Sequence, residues 1–206
     1  MTSADWSLSR HDTETGEWFR WDAATAGKHP GLAAAVADFE AHGGKNAEAA
    51  ARATAWLKDD ALREAACVTR ILVANGHVAA FYALASGEMI LTSAKKLERL
   101  GIQGGQRVGS SHVEWIARDR RAHAGAGWLA VEHAIDLALR YVSRLQGNRV
   151  VTMDSYDQAT QEMWRARGLR LSQSGDADGL RRLYIPLFGV DYGSLSRAAD
   201  RGPETG

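Results

Sequence analysis

The stretch Arg118 to Ile135, RDRRAHAGAGWLAVEHAI, places three arginines, two histidines and two glycines at the start of an apolar helical pattern. A helix that begins near Gly127 leaves its first backbone N–H groups without partners inside the helix, and its dipole puts positive potential at that end. The small residues Ala124 to Gly127 let an anion approach the backbone closely, and Arg121 and His123 add charge nearby. The pattern predicts a phosphate or pyrophosphate site; a surface loop that only precedes a helix is the alternative.

The sequence lacks the motifs of several other nucleotide-binding and catalytic sites. There is no Gly-x-x-x-x-Gly-Lys-Ser/Thr, no Gly-x-Gly-x-x-Gly and no Gly-x-Ser-x-Gly. The seven histidines are scattered without the spacing of metal ligands, so no metal site is predicted. The single cysteine, Cys67, lies in an apolar run with no base near it in sequence, which favours a buried structural thiol.

Composition limits the class of protein. A chain of 206 residues that is 45% apolar fits one domain with extensions. No apolar run reaches the roughly 18 residues of a membrane helix, and the polar N-terminus has no stretch of signal-peptide length. With one cysteine, this favours a cytoplasmic protein with no membrane partner. A net charge of zero argues against nucleic acid, although residues 61–206 hold nineteen Lys/Arg against fifteen Asp/Glu.

Hydrophobic patterning predicts the order of the elements. Residues 1–30 are expected to be irregular, with their tryptophans packed on the core or on a partner. Helices are predicted from Gly31 and over residues 46–66. In the helical stretch over residues 46–66, the side chains expected to face the core are Ala53, Trp56, Leu57 and Leu62. Two strands should follow, joined by a tight turn at Asn75–Gly76, because both residues tolerate positive φ.

The second half is predicted to alternate strands and helices. Residues 94–111, with four glycines, are expected to form a loop, and a strand should start at His112. An apolar stripe at spacings of three and four predicts a long helix from Trp128 to Leu145. A strand before Asp154, a helix ending at Gly168 and a strand from Arg181 complete the pattern. This order implies an α/β sheet of mixed direction with a crossover helix after the glycine loop.

Several of these segments, in this order, resemble the core of the GNAT acyltransferase superfamily. They are the strand HVEWIARD, the loop RRAHAGAG, the helix WLAVEHAIDLAL, the strand NRVVTMD and the segment QEMWRARGL. The resemblance implies a mixed, mostly antiparallel GNAT-type sheet flanked by helices, with a helical N-terminal extension. It places the extension at residues 1–55, the acyltransferase core at 56–188 and a loose tail at 189–206.

In that superfamily an Arg/Gln-x-x-Gly-x-Gly/Ala loop binds the pyrophosphate of acetyl-CoA. Gly125 and Gly127 match the small positions, which puts Ala122 at the Arg/Gln position. The resemblance implies cofactor binding by ten residues: Ile116, Ala117, Arg118, Arg121, His123, Ala124, Gly125, Ala126, Gly127 and Trp128. Trp164 stands where the family often has its acidic tyrosine, and an indole cannot deliver a proton. Tyr156 is a candidate substitute.

The sequence also leaves the identity of the general base open. Glu114 is a candidate because strand alternation points it to the same face as Ile116, with a solvated strand residue as the alternative. His112 has a suitable side chain, but its place at a strand start favours ordinary surface.

The resemblance leaves three functions to be weighed. The first is an acetyl-CoA-dependent N-acetyltransferase that acts by direct transfer to a primary amine, with acetyl-CoA as co-substrate. The second is a GNAT toxin that acetylates aminoacyl-tRNA, which the net charge does not favour. The third is a non-catalytic module that binds CoA or a protein, which Trp164 favours. The expected partners are an amine acceptor and, further, a second copy of the chain or an antitoxin-like protein.

Overall fold

The structure is a computed structural model that describes residues 6–44, 46–90, 93, 95, 98, 107–142, 148–155, 158–166, 168–175 and 181–187. Its seven strands form one sheet, in which strands counted along the chain lie in the order first, second, third, fourth, fifth, seventh, sixth. The sheet is mixed and mostly antiparallel, with six helices among the described residues, which confirms the predicted fold class. Two compact units divide the chain: Met1–Ala85 with Val113–Asp136, and Ser86–His112 with Leu137–Gly206.

The first unit opens with ordered elements where an irregular segment was predicted, so that prediction was wrong. They are α1 (Arg10–Glu14), β1 (Glu17–Arg20) and α2 (Ala23–Lys28). Ser9 and Asp12 form a capping box at α1, and Asp22 caps α2 by accepting from the Thr25 N–H at 2.8 Å. Trp21 is 4% exposed in the core of this unit. The predicted packing of the N-terminal tryptophans therefore holds for Trp21.

Two helices cover one face of the strands in this unit. They are α3 (Pro30–Asp38) and α4 (Ala47–Ala55), and α4 runs on in a π-helical turn, Trp56–Asp60. Ala53, Trp56 and Leu57 are buried as predicted, in a cluster with Phe39 and Phe81. Leu62 is 39% exposed, so its predicted inner position was wrong; the helix ends at Asp60, before it.

A hairpin forms the second and third strands of the sheet. β2 (Cys67–Ala74) and β3 (His77–Ile90) pair antiparallel, with Ala74 opposite His77. Asn75 and Gly76 turn the chain with φ of 49° and 79°, as the dipeptide predicted. β4 (Arg107–Arg118) begins five residues earlier than predicted, so residues 107–111 are strand rather than loop.

The remaining elements follow the loop after β4, which the sequence predicts to bind an anion. α5 (Ala126–Leu137) continues in a π-helical turn, Ala138–Val142, and is followed by β5 (Val150–Ser155) and α6 (Gln158–Ala166). The end of the predicted stripe at Leu145 lies outside the described residues. β6 (Arg170–Gly175), which was not predicted, and β7 (Arg181–Pro186) pair antiparallel, and β7 also pairs antiparallel with β5. No helix among the described residues has the length and apolar character needed to cross a membrane.

Gly16, between α1 and β1, provides a test of how the N-terminal segment packs. A Cβ atom at this position would meet the Val73 carbonyl oxygen at 2.8 Å and Leu72 Cδ1 at 2.9 Å. We therefore expect Gly16→Ala to lower the free energy of unfolding by about 1–3 kcal/mol. Gly27→Ala is the matched control: it has no atom within 4 Å and lies inside α2, where alanine favours the helix. Urea unfolding measures both; equal stability of the two variants would contradict this packing.

Candidate acetyl-CoA site

A buried carboxylate shapes the loop between β4 and α5. Asp119 is fully buried and accepts the backbone N–H groups of Glu40 at 2.9 Å and Arg121 at 2.8 Å. It also accepts the Arg121 guanidinium through Nε at 2.9 Å and Nη2 at 3.0 Å. These bonds satisfy both carboxylate oxygens, so Asp119 fixes the direction in which the chain leaves β4.

Backbone segments on two sides hold the same loop. On one side the Leu8 N–H donates to the Arg121 carbonyl and the His123 N–H donates to the Leu8 carbonyl, both at 3.0 Å. On the other side the Arg120 N–H donates to Glu40, and the His42 N–H donates to Arg118, both at 2.8 Å. A loop tied in this way keeps its shape whether or not an anion is bound, which lowers the cost of binding.

The arginines of the loop all make contacts within the protein. Arg121 turns inward: besides Asp119 it contacts Asp38, and its side chain is only 9% exposed. Hydrogen bonds to Asp119 raise its pKa above the ordinary arginine value despite burial. Arg120 pairs with Glu40 at 2.7 Å, and Arg118 Nη1 donates to the carbonyls of Asp119 and Ala122. Two of the predicted cofactor-binding arginines, Arg118 and Arg121, thus support the loop from within.

The groups available to an anion are backbone N–H groups and one imidazole. Within the described part of the chain, the N–H groups of Ala124 and Gly127 have no acceptor. The Gly125 N–H donates to His123 Nδ1 at 3.1 Å. Because Nδ1 acts as the acceptor, the neutral ring carries its proton on Nε2, and His123 is exposed. The start of α5, at Ala126, adds the positive end of its dipole.

The two glycines of the loop differ in what surrounds them. A Cβ atom on Gly125 would lie 3.2 Å from His123 Nδ1, so the missing side chain there makes room for the imidazole. A Cβ atom on Gly127 would meet nothing closer than the Arg118 Cβ at 4.0 Å. No protein atom in the described residues therefore requires a glycine at 127, which leaves that backbone open to a ligand.

The strand that leads into the loop alternates between two environments. Trp115 stacks on Trp56 with ring centroids 5.4 Å apart, and Ala117 packs against the same cluster. Glu114 and Ile116 alternate with these residues and share the other face, as predicted; Glu114 is exposed and Ile116 half-buried. Trp128, the first large residue of α5, donates its indole N–H to Glu132 at 2.7 Å.

A polar cluster in the second unit surrounds His112. Its Nδ1 lies 2.9 Å from Thr152 Oγ1, and its Nε2 lies 3.7 Å from Asp154 Oδ2. Arg182 donates to both oxygens of Asp154 at 2.8 Å. Burial raises the pKa of Asp154, but the hydrogen bonds and charge of Arg182 outweigh it and hold that pKa below its usual value. The His112 side chain is only 12% exposed, so the expected surface position was wrong.

The Thr152 hydroxyl lies between two polar side chains of this cluster. Its Oγ1 is 2.9 Å from His112 Nδ1 and donates to Ser110 Oγ at 3.5 Å. An imidazole with a hydroxyl beside one nitrogen and a carboxylate near the other can accept a proton, so His112 is a candidate general base.

The position of the family's tyrosine holds a buried indole. Trp164, on α6, is 8% exposed, whereas its neighbour Met163 is 40% exposed. Tyr156, the predicted substitute, lies outside the described residues.

Cys67, at the start of β2, is partly buried, and its thiol is a poor nucleophile. Burial, together with the nearby Glu114 and Glu64 carboxylates, raises its pKa to about 11. At pH 8 the thiolate fraction is therefore very small, and we expect iodoacetamide to modify native Cys67 slowly, with a rate that still rises between pH 9 and pH 10. Mass spectrometry follows the reaction against urea-unfolded protein as control. Rapid alkylation at pH 7 would contradict the structure and reopen thiol chemistry.

Comparison with known proteins finds similarity in structure only. No sequence-family model matches the chain, and no curated protein sequence matches it. AtaT complexed with acetyl-methionyl-tRNAfMet is 16% identical, with a TM-score of 0.60 over 79% of this chain and 90% of that one. A tyrosine-to-phenylalanine mutant of KacT is 15% identical, with a TM-score of 0.56 over 71% and 85%. A mutant AtaT toxin bound to the C-terminus of the antitoxin AtaR and acetyl-CoA is 15% identical, with a TM-score of 0.52 over 73% and 86%.

The chain thus has the fold of the GNAT acyltransferases, which confirms the predicted resemblance at the level of fold. The solved structures whose fold it shares include those of AtaT and KacT.

Proposed function

We propose that this protein is an acetyl-CoA-dependent N-acetyltransferase. The observation that carries the proposal is the loop 118–127, which two backbone segments and Asp119 hold in one shape, with open N–H groups at the start of a helix. A diphosphate needs short-range donors of this kind and room at the backbone, and Gly127 supplies that room. The residues present therefore fit the pyrophosphate of acetyl-CoA, although Ala122 stands at the family's Arg/Gln position.

In this proposal the N–H groups of Ala124 and Gly127 and the Nε2–H of His123 hold the pyrophosphate. Gly125 and Ala126 form the turn, and Trp128 lies on the first turn of the helix that faces it. The main chain of Ile116 and Ala117 lines the pantetheine. Arg118 and Arg121 act on the loop rather than on the phosphate, because their guanidinium groups contact loop carbonyls and buried carboxylates.

The chemistry is a direct transfer. The amine nitrogen attacks the thioester carbonyl, an N–C bond forms, the C–S bond breaks and the thiolate leaves. The amine gives up one proton, and His112 is the proposed acceptor, because its imidazole lies beside the Asp154 carboxylate and can take up a proton. Glu114 remains the competing base. The thiol of CoA has a pKa near 8.5, so its thiolate is a good leaving group that needs little acid assistance. A proton from Tyr156 or from water therefore suffices without a tyrosine at position 164.

Aminoacyl-tRNA is a second candidate acceptor, favoured by one feature of the second unit. Exposed Arg165 and Arg170 line a groove of about 730 Å³ at the end of α6. Such a pair can contact a phosphate backbone although the net charge of the chain is zero. AtaT, whose fold is similar, was solved with acetyl-methionyl-tRNAfMet, and KacTA, whose fold is also similar, was solved as a complex with DNA. An antitoxin-like protein partner belongs to this candidate.

The non-catalytic module is the third candidate, and Trp164 favours it. An assay of thiol release from acetyl-CoA distinguishes the three candidate functions. The acceptors tested are amines, polyamines, peptides and aminoacyl-tRNA. Release with a small amine or a peptide supports the first proposal, and release with aminoacyl-tRNA alone supports the second. Tight CoA binding without release under any condition would identify a module. A protein that does not bind CoA at all would contradict both enzymes and the CoA-binding form of the module.

A further inference from the structure

The indole of Trp6 covers the guanidinium that anchors the anion-binding loop. Its ring centroid lies 3.9 Å from Arg121 Cζ, within the range of a cation–π contact. The indole Nε1–H donates to Asp38 Oδ2 at 2.8 Å, and Asp38 Oδ2 also lies 3.2 Å from Arg121 Nη1. Trp6, Asp38 and Asp119 therefore surround the Arg121 guanidinium from its face and its edges.

The other face of the indole is also occupied. His77, at the start of β3, stacks on Trp6 with ring centroids 4.1 Å apart and an interplanar angle of 21°. The indole is thus held between an imidazole and a guanidinium, and a hydrogen bond fixes its rotation. Burial raises the pKa of Asp38, but the Trp6 hydrogen bond and the Arg121 charge outweigh it and lower that pKa overall. Asp38 is therefore charged at neutral pH, as this arrangement requires.

Two residues further on, the same segment joins the loop backbone. Leu8 is 4% exposed, and its N–H and carbonyl groups bond to Arg121 and His123 in a parallel bridge opposite Ala122. Movement of Trp6 is therefore coupled to the loop in two ways: through the Arg121 side chain and through the Leu8 backbone. The open N–H of Ala124 follows directly after this bridge.

From these contacts we infer that Trp6 is a positioning residue for the pyrophosphate of acetyl-CoA. It acts through Arg121 and touches no reacting group. Its ring keeps the guanidinium on Asp119, and Asp119 in turn keeps the loop N–H groups aimed at the anion. The N-terminal segment is thus part of the nucleotide site, although it lies more than a hundred residues before the loop in sequence. This inference rests on the proposed function.

The test compares CoA with pantetheine, which lacks the pyrophosphate, as ligands of the full-length protein. We expect Trp6→Leu, which stays apolar but loses the π face, the N–H and part of the ring volume, to raise the Kd for CoA about tenfold. The Kd for pantetheine should stay unchanged, and the KM for acetyl-CoA should rise while kcat stays within about twofold. Trp6→Phe restores the ring above Arg121 and should recover most of the CoA affinity.

Two further measurements make the outcome unambiguous. Arg121→Lys, which cannot form the planar contacts with both Trp6 and Asp119, should reproduce the Trp6→Leu phenotype. Hydrogen exchange at residues 122–127 should be faster in Trp6→Leu without ligand. If wild-type protein binds CoA and Trp6→Leu binds it equally well, the inference is wrong and the proposed function stands. Equal weakening of CoA and pantetheine would also overturn it, since that pattern indicates general destabilisation. If wild-type protein does not bind CoA, the proposed function fails and the inference fails with it.

Discussion

Replacing Gly127 with aspartate is expected to weaken CoA binding at least 30-fold, about 2 kcal/mol, while the protein stays folded. The carboxylate would stand in the first turn of α5, beside the backbone N–H that the proposal assigns to the pyrophosphate. Like charges at that distance repel strongly where the site excludes water. The fold should tolerate the change, because the nearest atom to a Cβ at this position is the Arg118 Cβ at 4.0 Å.

The helix itself should favour this substitution. An acidic residue in the first turn interacts well with the helix dipole, typically by about 0.3–1 kcal/mol, and replaces a glycine that disfavours helix. Gly127→Asn is the matched control, since it has the same shape without the charge. Calorimetric titration gives the affinity and thermal unfolding gives the stability. The account would be contradicted if Gly127→Asp bound CoA as tightly as Gly127→Asn.

The second large effect is expected at His112. His112→Asn should lower kcat/KM by about 10²-fold, the usual contribution of a general base, with no change in CoA affinity. The asparagine side chain can still donate to Thr152, so the polar cluster should persist and the protein should keep its stability. Loss of rate with unchanged binding is the signature of a group that acts only in the chemical step.

Glu114→Gln serves as the comparison, because Glu114 is the competing base on the same strand. We expect it to retain kcat/KM within about twofold, as an exposed carboxylate with no catalytic task would. Thiol release at saturating amine measures both variants. A large loss in Glu114→Gln together with an active His112→Asn would reverse the assignment and make Glu114 the base.

Local patterns in the sequence predicted the elements that form through local interactions. The Asn75–Gly76 turn was predictable because both residues must adopt positive φ, and they do so at 49° and 79°. The stripe from Trp128 predicted α5 because its buried residues, among them Val131 and Ile135, recur at helical spacing. The strands β1 and β6 were not predicted, because each is short and shows little alternation of apolar and polar residues. Pairing with β2 and with β7 makes them strands.

The residues around the site were harder to predict because their partners are distant in sequence. Asp119 holds the loop through the Glu40 N–H, 79 residues away, and nothing near Asp119 indicates that it is buried. The sequence predicted a surface position for His112 because it stands at the predicted start of a strand. The structure buries it against Thr152, 40 residues later, on another strand. The anion site at residues 124–127 stays a prediction, which rests on a run of small residues that is local in sequence.

The binding of CoA and pantetheine to the wild-type protein tests the central claim most directly. The account predicts that CoA binds in the micromolar range and that pantetheine binds at least 30-fold more weakly, because the loop N–H groups contact the pyrophosphate. Equal affinity for the two ligands would place the binding energy elsewhere. No binding of CoA would contradict the assignment of the loop altogether.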